Sequence, residues 1–357
     1  MIKIAFLGDF AIFPNKTLRK DWKAYFQDVS EELEKYDLVV INLETPITAQ
    51  NRTTVCKGVH LKTSETMVDV LQYLHVGAVC LANNHICDFG LRGLKDTIDC
   101  LKNAGIPYYG INGKSLLLPV ADENISLHGY CCFSANGAHY LTKRNSSKKG
   151  VNALTKTLVE HDLAEDKQNG HLSVLSFHWG DEYSQLPNEK QVKFVKGISS
   201  SYSFILHGHH THAMQGIKEY AQSVAMFSQG NFCFDEVESS VNKGIRVLQN
   251  EINNESFIAI FSIENAAIRQ WNTIGIMNTG EKIDIIDNSA KLKQLSQRID
   301  HCEEEDYKQE SRRMIQEQKR TNLGKKGFKW FIQKMNYYSI GAKLLSYRNN
   351  HLYKKSY

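Results

Sequence analysis

Metal-ligand side chains recur in this chain at one kind of place, the ends of short apolar runs. IKIAFLGD ends in Asp9, DLVVINLE in Asn42 and Glu44, and VGAVCLANNH in Asn83, Asn84 and His85. LSVLSFHWGD supplies His178, Trp179 and Asp181, and SFILHGHHTH supplies His207, His209, His210 and His212. Each is ordinary alone, because an Asp after a strand caps the next helix and an Asn-His pair makes a turn. Together they form a pattern, since ligands of helix-covered sheets collect beyond the carboxyl ends of the strands. The loops are therefore expected to converge. Imidazole with carboxylate and amide oxygen, and no thiolate among these positions, suits Zn, Mn or Fe better than a closed structural zinc site. His210 and His212, two residues apart, share a side if the chain is extended there. Two neighbouring cations need negative charge between them, and Asp9 and Glu44 can supply it.

The elements that must position these groups follow from period. Runs rich in β-branched residues at 2–8, 37–43, 76–82, 172–178, 203–208 and 223–230 predict strands, and segments near 18–35, 65–75, 90–104, 151–167 and 188–200 predict helices. That alternation is an α/β pattern. SFIAIFSIE, AIRQWNTIGIM and EKIDII, from 256 to 286, read as successive strands closing the core by antiparallel pairing. Residues 289–320 read as one charged helix, and a Gly-Lys-Lys-Gly break at 324–327 opens a basic, aromatic tail. The organisation expected is a domain at 1–286 and a helical, basic extension at 287–357.

With 357 residues, 42% of them hydrophobic, the chain can fill a sizeable core. Ten Lys and Arg and no acidic residue follow Glu317, so subtracting +10 from the overall +4 leaves −6 for residues 1–317. The basicity belongs to the tail, and nothing in it specifies nucleic acid. The eight cysteines show neither zinc-knot spacing nor the density of a disulfide scaffold, and read as free buried thiols. MIKIAFLGDF breaks too early for a signal-peptide core, and no stretch approaches a membrane span. A cytoplasmic protein is expected, with the inner face of the membrane as an alternative location.

The motifs LGD, INLETPIT, LANNHICDFG, SFHWGDEY, GHHTHAMQGI and FSQGNFCFD stand in the order and at roughly the spacing found in the CapA (poly-gamma-glutamate capsule synthesis) family, which the chain resembles over residues 1–240, and at most to 286. The resemblance implies a double-sheet α-β-β-α sandwich of the calcineurin-like metallophosphoesterase type. It also implies two divalent ions. Asp9 would bind the first, Glu44 would bridge, Asn84 and His178 would bind the second, and His210 and His212 would divide between them. His85 would contact the scissile group and protonate the leaving group, with Asn42 and Trp179 in supporting or packing positions. Asp88 would orient His85 or cap the helix beginning near Gly90. One position departs from the wider superfamily, whose Asp-x-His pair is here Asp9-Phe10-Ala11. Either His209 or His207 takes that ligand place, or the first site binds weakly, or one ion suffices.

Two functions follow from different classes. One is a metal-dependent, phosphoesterase-like hydrolase in capsule or surface-polysaccharide biosynthesis, acting on an anionic or phosphorylated small molecule or polymer. The other is a non-catalytic accessory subunit of a polymer synthesis or export complex. Lys57, His60 and Lys62 read either as contacts to an anionic substrate or as a solvated loop. In the tail, Phe328, Phe331, Ile332, Met335, Ala342 and Leu345 fall near one helical face, with Lys325, Lys329 and Lys334 largely off it. Such a segment either covers the core or a partner, or lies on an anionic membrane.

Overall fold

The computed structural model describes residues 1–136, 141–142, 149–241, 246–247, 249–324 and 336–352. Two sheets face each other across a shared core. In the first, the order is Ile283–Ile286, Ala267–Asn278, Glu255–Glu264, Ile2–Ala11, Leu38–Leu43, Ala78–Cys80 and Tyr108–Tyr109. Strands Ile2–Ala11 through Tyr108–Tyr109 run parallel, while the Glu255–Ile286 strands are antiparallel, as the 256–286 pattern predicts. Asn231–Phe234 joins the same sheet by pairing in parallel with the end of Ile2–Ala11. The second sheet runs Ile217–Tyr220, Ser223–Met226, Phe204–His209, Leu172–His178, Glu123–Cys131 and Leu116–Val120, with its middle four strands parallel.

Parallel strands covered on both faces need continuous apolar runs. Leu172–His178 and Phe204–His209 are accordingly buried at every position. The helices Trp22–Leu33, Thr66–Tyr73, Gly90–Asn103 and Glu189–Ser199 fall within the stretches that period marks, whereas Lys156–Asn169 starts later than expected from 151–167 because Val151–Asn152 pairs as a strand. Asp21, Thr155 and Asn188 cap three of them by accepting from backbone N–H groups of the first turn. The result is the expected double-sheet α/β architecture, with one large apolar core between the sheets and under the helices.

Three features differ from the sequence reading. Glu123–Cys131 is a central strand that no apolar run announces, because His128 and Gly129 interrupt its pattern. Burial there is possible because His128 Nε2 lies 2.7 Å from Asp166 Oδ2 and 2.9 Å from Ser126 Oγ. The segment 289–320 is two helices, Ser289–Arg298 and Glu305–Gly324, parted at 299–304 with no Gly or Pro to signal the break. Leu292, Leu295, Ile299, Cys302 and Tyr307 from this region join the main core. Finally, the tail closes in a helix, Tyr337–Leu352, on which Ala342 and Leu345 are half-buried while Ile340, Leu344 and Tyr347 are exposed. The apolar face proposed for Ala342 and Leu345 is therefore turned to the protein, and the exposed stripe is a different one. Phe328, Phe331, Ile332 and Met335 lie outside the described residues. No helix among the described residues is long and apolar enough to cross a membrane.

Candidate metal centre

The strand ends that carry ligand-type residues meet at one end of the sandwich. Asp9 sits where the strand register slips between Phe6 and Asp9 against one neighbour and between Asp9 and Phe10 against the other. That irregularity places it beside Asn42 on one side and Asn231 on the other. Such bulges re-aim a side chain, here towards the second sheet. The sheet neighbours can close in because residue 8 is glycine: a Cβ there would stand 2.1 Å from the Gly230 carbonyl oxygen.

Asp9 is fully buried and fully contacted. Its Oδ1 accepts from Asn42 Nδ2 at 2.8 Å, and its Oδ2 accepts from the backbone N–H of His210 at 3.0 Å. His209 Nδ1 stands 3.0 Å from Oδ1 in a contact whose direction is not that of a hydrogen bond. His212 Nδ1 is 3.7 Å from Oδ2. Burial pushes the Asp9 carboxyl up, but His209, the charge of His212 and the Asn42 amide outweigh it and hold the group down at about 2.

Glu44 is the opposite case. Both carboxylate oxygens are buried without a hydrogen-bond partner. His178 Nε2 lies 3.5 Å and His212 Nε2 3.8 Å from its Oε1. Burial first, and then the negative charge of Asp9, push this carboxyl well above its ordinary range. Two neighbouring carboxyls are thus driven apart, and the orphaned one stands between two sets of imidazoles.

Those sets are distinct. Ligand atoms of Glu44, His178 and His210 lie within 4.8 Å of one another, and so do those of Asp9, Glu44 and His212. Glu44 is common to both. Asn84 Oδ1 lies 3.2 Å from His178 Nε2, adding an amide oxygen to the first set. Burial and neighbouring imidazoles hold His178 well below its ordinary value, and burial brings His210 to about 4, so both rings are neutral and able to bind a cation. The donor set fits a divalent ion: nitrogen and oxygen ligands, an unpartnered buried carboxylate and an orphaned ring nitrogen on His210.

His210 and His212 do not share a side through an extended chain. The strand ends at His209, and both residues have positive φ, 89° and 54°. This left-handed turn sends one ring to each cluster, with ring centroids 6.2 Å apart. His212 is fixed further by Asn231 Oδ1, 2.9 Å from its Nδ1, and by Asn253 Nδ2 donating to its carbonyl. Neither Asn231 nor Asn253 stood out in the sequence.

The remaining positions sort by contact. His207 is spent structurally: its Nε2–H donates to Leu7 O at 2.8 Å, and its Nδ1 lies 3.2 Å from Ser176 Oγ. That removes it as a stand-in ligand and leaves His209, which touches Asp9, in the supporting place. Asn42 links Asp9 to Asn83, whose Nδ2 donates to Asn42 Oδ1 at 3.1 Å. Trp179 packs against Phe227 and donates from Nε1 to Phe227 O.

His85 lies beside Asn84, its side chain 12% exposed. Its Nδ1–H donates to Asp88 Oδ2 at 2.7 Å, which leaves Nε2 as the other working nitrogen. Asp88 orients His85 and does not cap Gly90–Asn103, whose N-cap is Phe89 with no side-chain bond. Lys57 Nζ donates to Asp88 Oδ1 at 2.8 Å, and the Leu61 N–H donates to Oδ2 at 2.7 Å. Lys57 is thereby tied to the site, whereas Lys62 bonds to Gln50 O and Asn51 and His60 Nε2 to Val55 O.

The family model for the bacterial capsule synthesis protein PGA_cap matches residues 3–236, which contain all of the converging ligand-type residues named above. The chain is 29% identical over 247 residues to the PGA biosynthesis protein CapA of Bacillus subtilis (strain 168), an alignment covering 66% of this chain and 64% of that protein. It is 30% identical to the capsule biosynthesis protein CapA of Bacillus anthracis, over 59% of this chain and 54% of that one. The matches thus span less than two thirds of either relative. Among solved structures, a hypothetical protein from Thermus thermophilus superposes with a TM-score of 0.47 at 13% identity, covering 77% of this chain and 98% of that one. The 5'-nucleotidase of Candida albicans SC5314 gives 0.41 at 11%, covering 90% and 57%. These structural likenesses are loose, and membership rests on the sequence match: the chain belongs to the bacterial capsule synthesis family PGA_cap, the family of the CapA proteins.

Proposed function

We propose that this chain is a metal-dependent, phosphoesterase-like hydrolase serving capsule or related surface-polymer biosynthesis. The observation that carries the reading is Glu44, buried with both oxygens unpartnered and shared by two clusters of ligand atoms. In this reading Glu44, His178, His210 and Asn84 hold one divalent ion, and Asp9, Glu44 and His212 hold a second. Mn, Zn or Fe fits the donors. Ions bound there supply Lewis acidity and an activated water near neutral pH.

The protein's own groups do the rest. Asn42, His209 and the His210 N–H keep Asp9 ionised and fixed in direction. Asp88 holds His85 by Nδ1, so that protonated His85 delivers its proton from Nε2 to the leaving group. Burial lowers the His85 pKa, the Asp88 carboxylate opposes that shift and the Lys57 charge adds to it. Lys57 neutralises Asp88 beside it and adds positive charge where an anionic substrate would approach.

The test is direct. Metal-loaded protein is assayed on aryl phosphomonoesters, aryl phosphodiesters and γ-glutamyl peptides, beside His85→Ala. The reading expects turnover that His85→Ala abolishes with metal content unchanged. Metal binding without turnover on the whole panel would instead assign an accessory role.

A further inference from the structure

The C-terminal helix has two faces with different employment. On one, the Tyr338 hydroxyl donates to Thr53 O at 3.0 Å, and its ring meets His60 edge-on at 5.2 Å between centroids. Gly341 lies so close to Cys56 that an added Cβ would stand 2.5 Å from its Sγ. These contacts grip the loop that carries Lys57. The other face is open to solvent: Ile340 is 50%, Leu344 67% and Tyr347 82% exposed, and Tyr337, 66% exposed but touching Cys56, begins the row. Positions 337, 340, 344 and 347 fall on one stripe at helical spacing.

Three large side chains, Ile340, Leu344 and Tyr347, on a single exposed stripe need a reason, because isolated exposed residues are ordinary but aligned ones mark contact surfaces. The charge of the region selects the occupant. From Lys319 to the end of the sequence there are ten Lys and Arg and no Asp or Glu, and Lys343 lies within the helix itself, exposed. Aromatic and aliphatic side chains on one stripe, set in a uniformly basic segment, are the composition of an interfacial helix on an anionic lipid surface. No helix among the described residues is long and apolar enough to cross a membrane.

We propose that the Tyr337–Leu352 helix is a membrane-docking element that lays Ile340, Leu344 and Tyr347 into an anionic lipid surface. Its opposite face stays fastened to the Thr53–His60 loop, so docking brings that loop, which carries Lys57, to about one helix diameter, roughly 10 Å, from the headgroups. The inference is independent of hydrolysis: it is read by binding, and stands or falls without any substrate.

The experiment is co-sedimentation of the full chain with phosphatidylcholine vesicles made with and without phosphatidylglycerol. Binding to the anionic vesicles is expected, weakening as salt is raised. Ile340→Asp/Leu344→Asp should lower the partition coefficient by at least about tenfold, from the lost apolar insertion and the added negative charge. Lys343→Glu, which leaves the stripe intact, should lower it by at least about fivefold. Both variants change exposed positions, and an unaltered melting temperature verifies that they fold. No binding by the wild-type chain, or equal binding by the variants, overturns the proposal. So does a dimer in sedimentation that the stripe variant dissolves without affecting vesicle binding, which would give the stripe to a second copy of the chain.

Discussion

Replacing Glu44 by methionine, similar in volume but apolar, should stabilise the metal-free protein and remove most of its stabilisation by metal. In the metal-free state both Glu44 oxygens are buried without a partner. An unsatisfied buried polar group costs about 1–3 kcal/mol, and the cost is removed with the group. The metal-free variant should therefore melt about 2–6 °C above the metal-free wild type, taking about 2 °C per kcal/mol for a large domain. With metal at a hundredfold excess over Kd the wild type gains about 2.7 kcal/mol. The variant, having lost the ligand common to both clusters, gains little. Differential scanning fluorimetry in EDTA and in Mn or Zn measures both. A variant that melts lower in EDTA, yet is stabilised by metal as much as the wild type, would refute the assignment of Glu44.

Other outcomes follow from the same geometry. His85→Ala should lower kcat by about 10²–10⁴-fold with metal content unchanged, checked by steady-state kinetics beside elemental analysis. Metal binding should release protons, because the Glu44 carboxyl lies well above its ordinary range until a cation is present; affinity should fall as pH is lowered, and calorimetry in buffers of different ionisation enthalpy counts the protons. Burial pushes the Asp88 carboxyl up, but His85 and Lys57 hold it at about 2 against 3.8, a depressed carboxylate contributing about 2 kcal/mol that is fully present above pH 4 and lost as pH falls through 2. Lys57→Met should raise that pKa and move the acid-unfolding midpoint to higher pH, read by circular dichroism. Gly8→Ala drives a Cβ to 2.1 Å from the Gly230 carbonyl and should cost about 1–3 kcal/mol or more in chemical denaturation, with loss of bound metal.

Much of this site is legible in the sequence because its ligands follow buried parallel strands, whose unbroken apolar runs announce where each loop begins. Asp9, Glu44, Asn84, His178 and His210 all lie just past, or at the end of, such runs. What the sequence conceals is the use each side chain is put to. His207 and His210 are the same residue type three positions apart, yet one is consumed by Leu7 O and Ser176 while the other faces Glu44 and His178. The turn that separates His210 from His212 depends on two positive φ values at non-glycine positions, which period cannot foresee. Asn231 directly follows the run at 223–230 without standing out, and only pairing with Asp9 across the sheet makes it the anchor of His212. Lys57 lies in a loop without periodicity. Its place is settled by Asp88 and by a helix that meets the loop through Tyr338 and Gly341, almost the whole chain length away.

Anomalous diffraction from crystals soaked in Mn or Zn tests the central claim most directly. The account predicts two peaks, one among Glu44, His178, His210 and Asn84 and one among Asp9, Glu44 and His212, with the Glu44 carboxylate reaching both. Ions found only elsewhere on the protein, with Glu44 still unpartnered in a metal-soaked crystal, would contradict it.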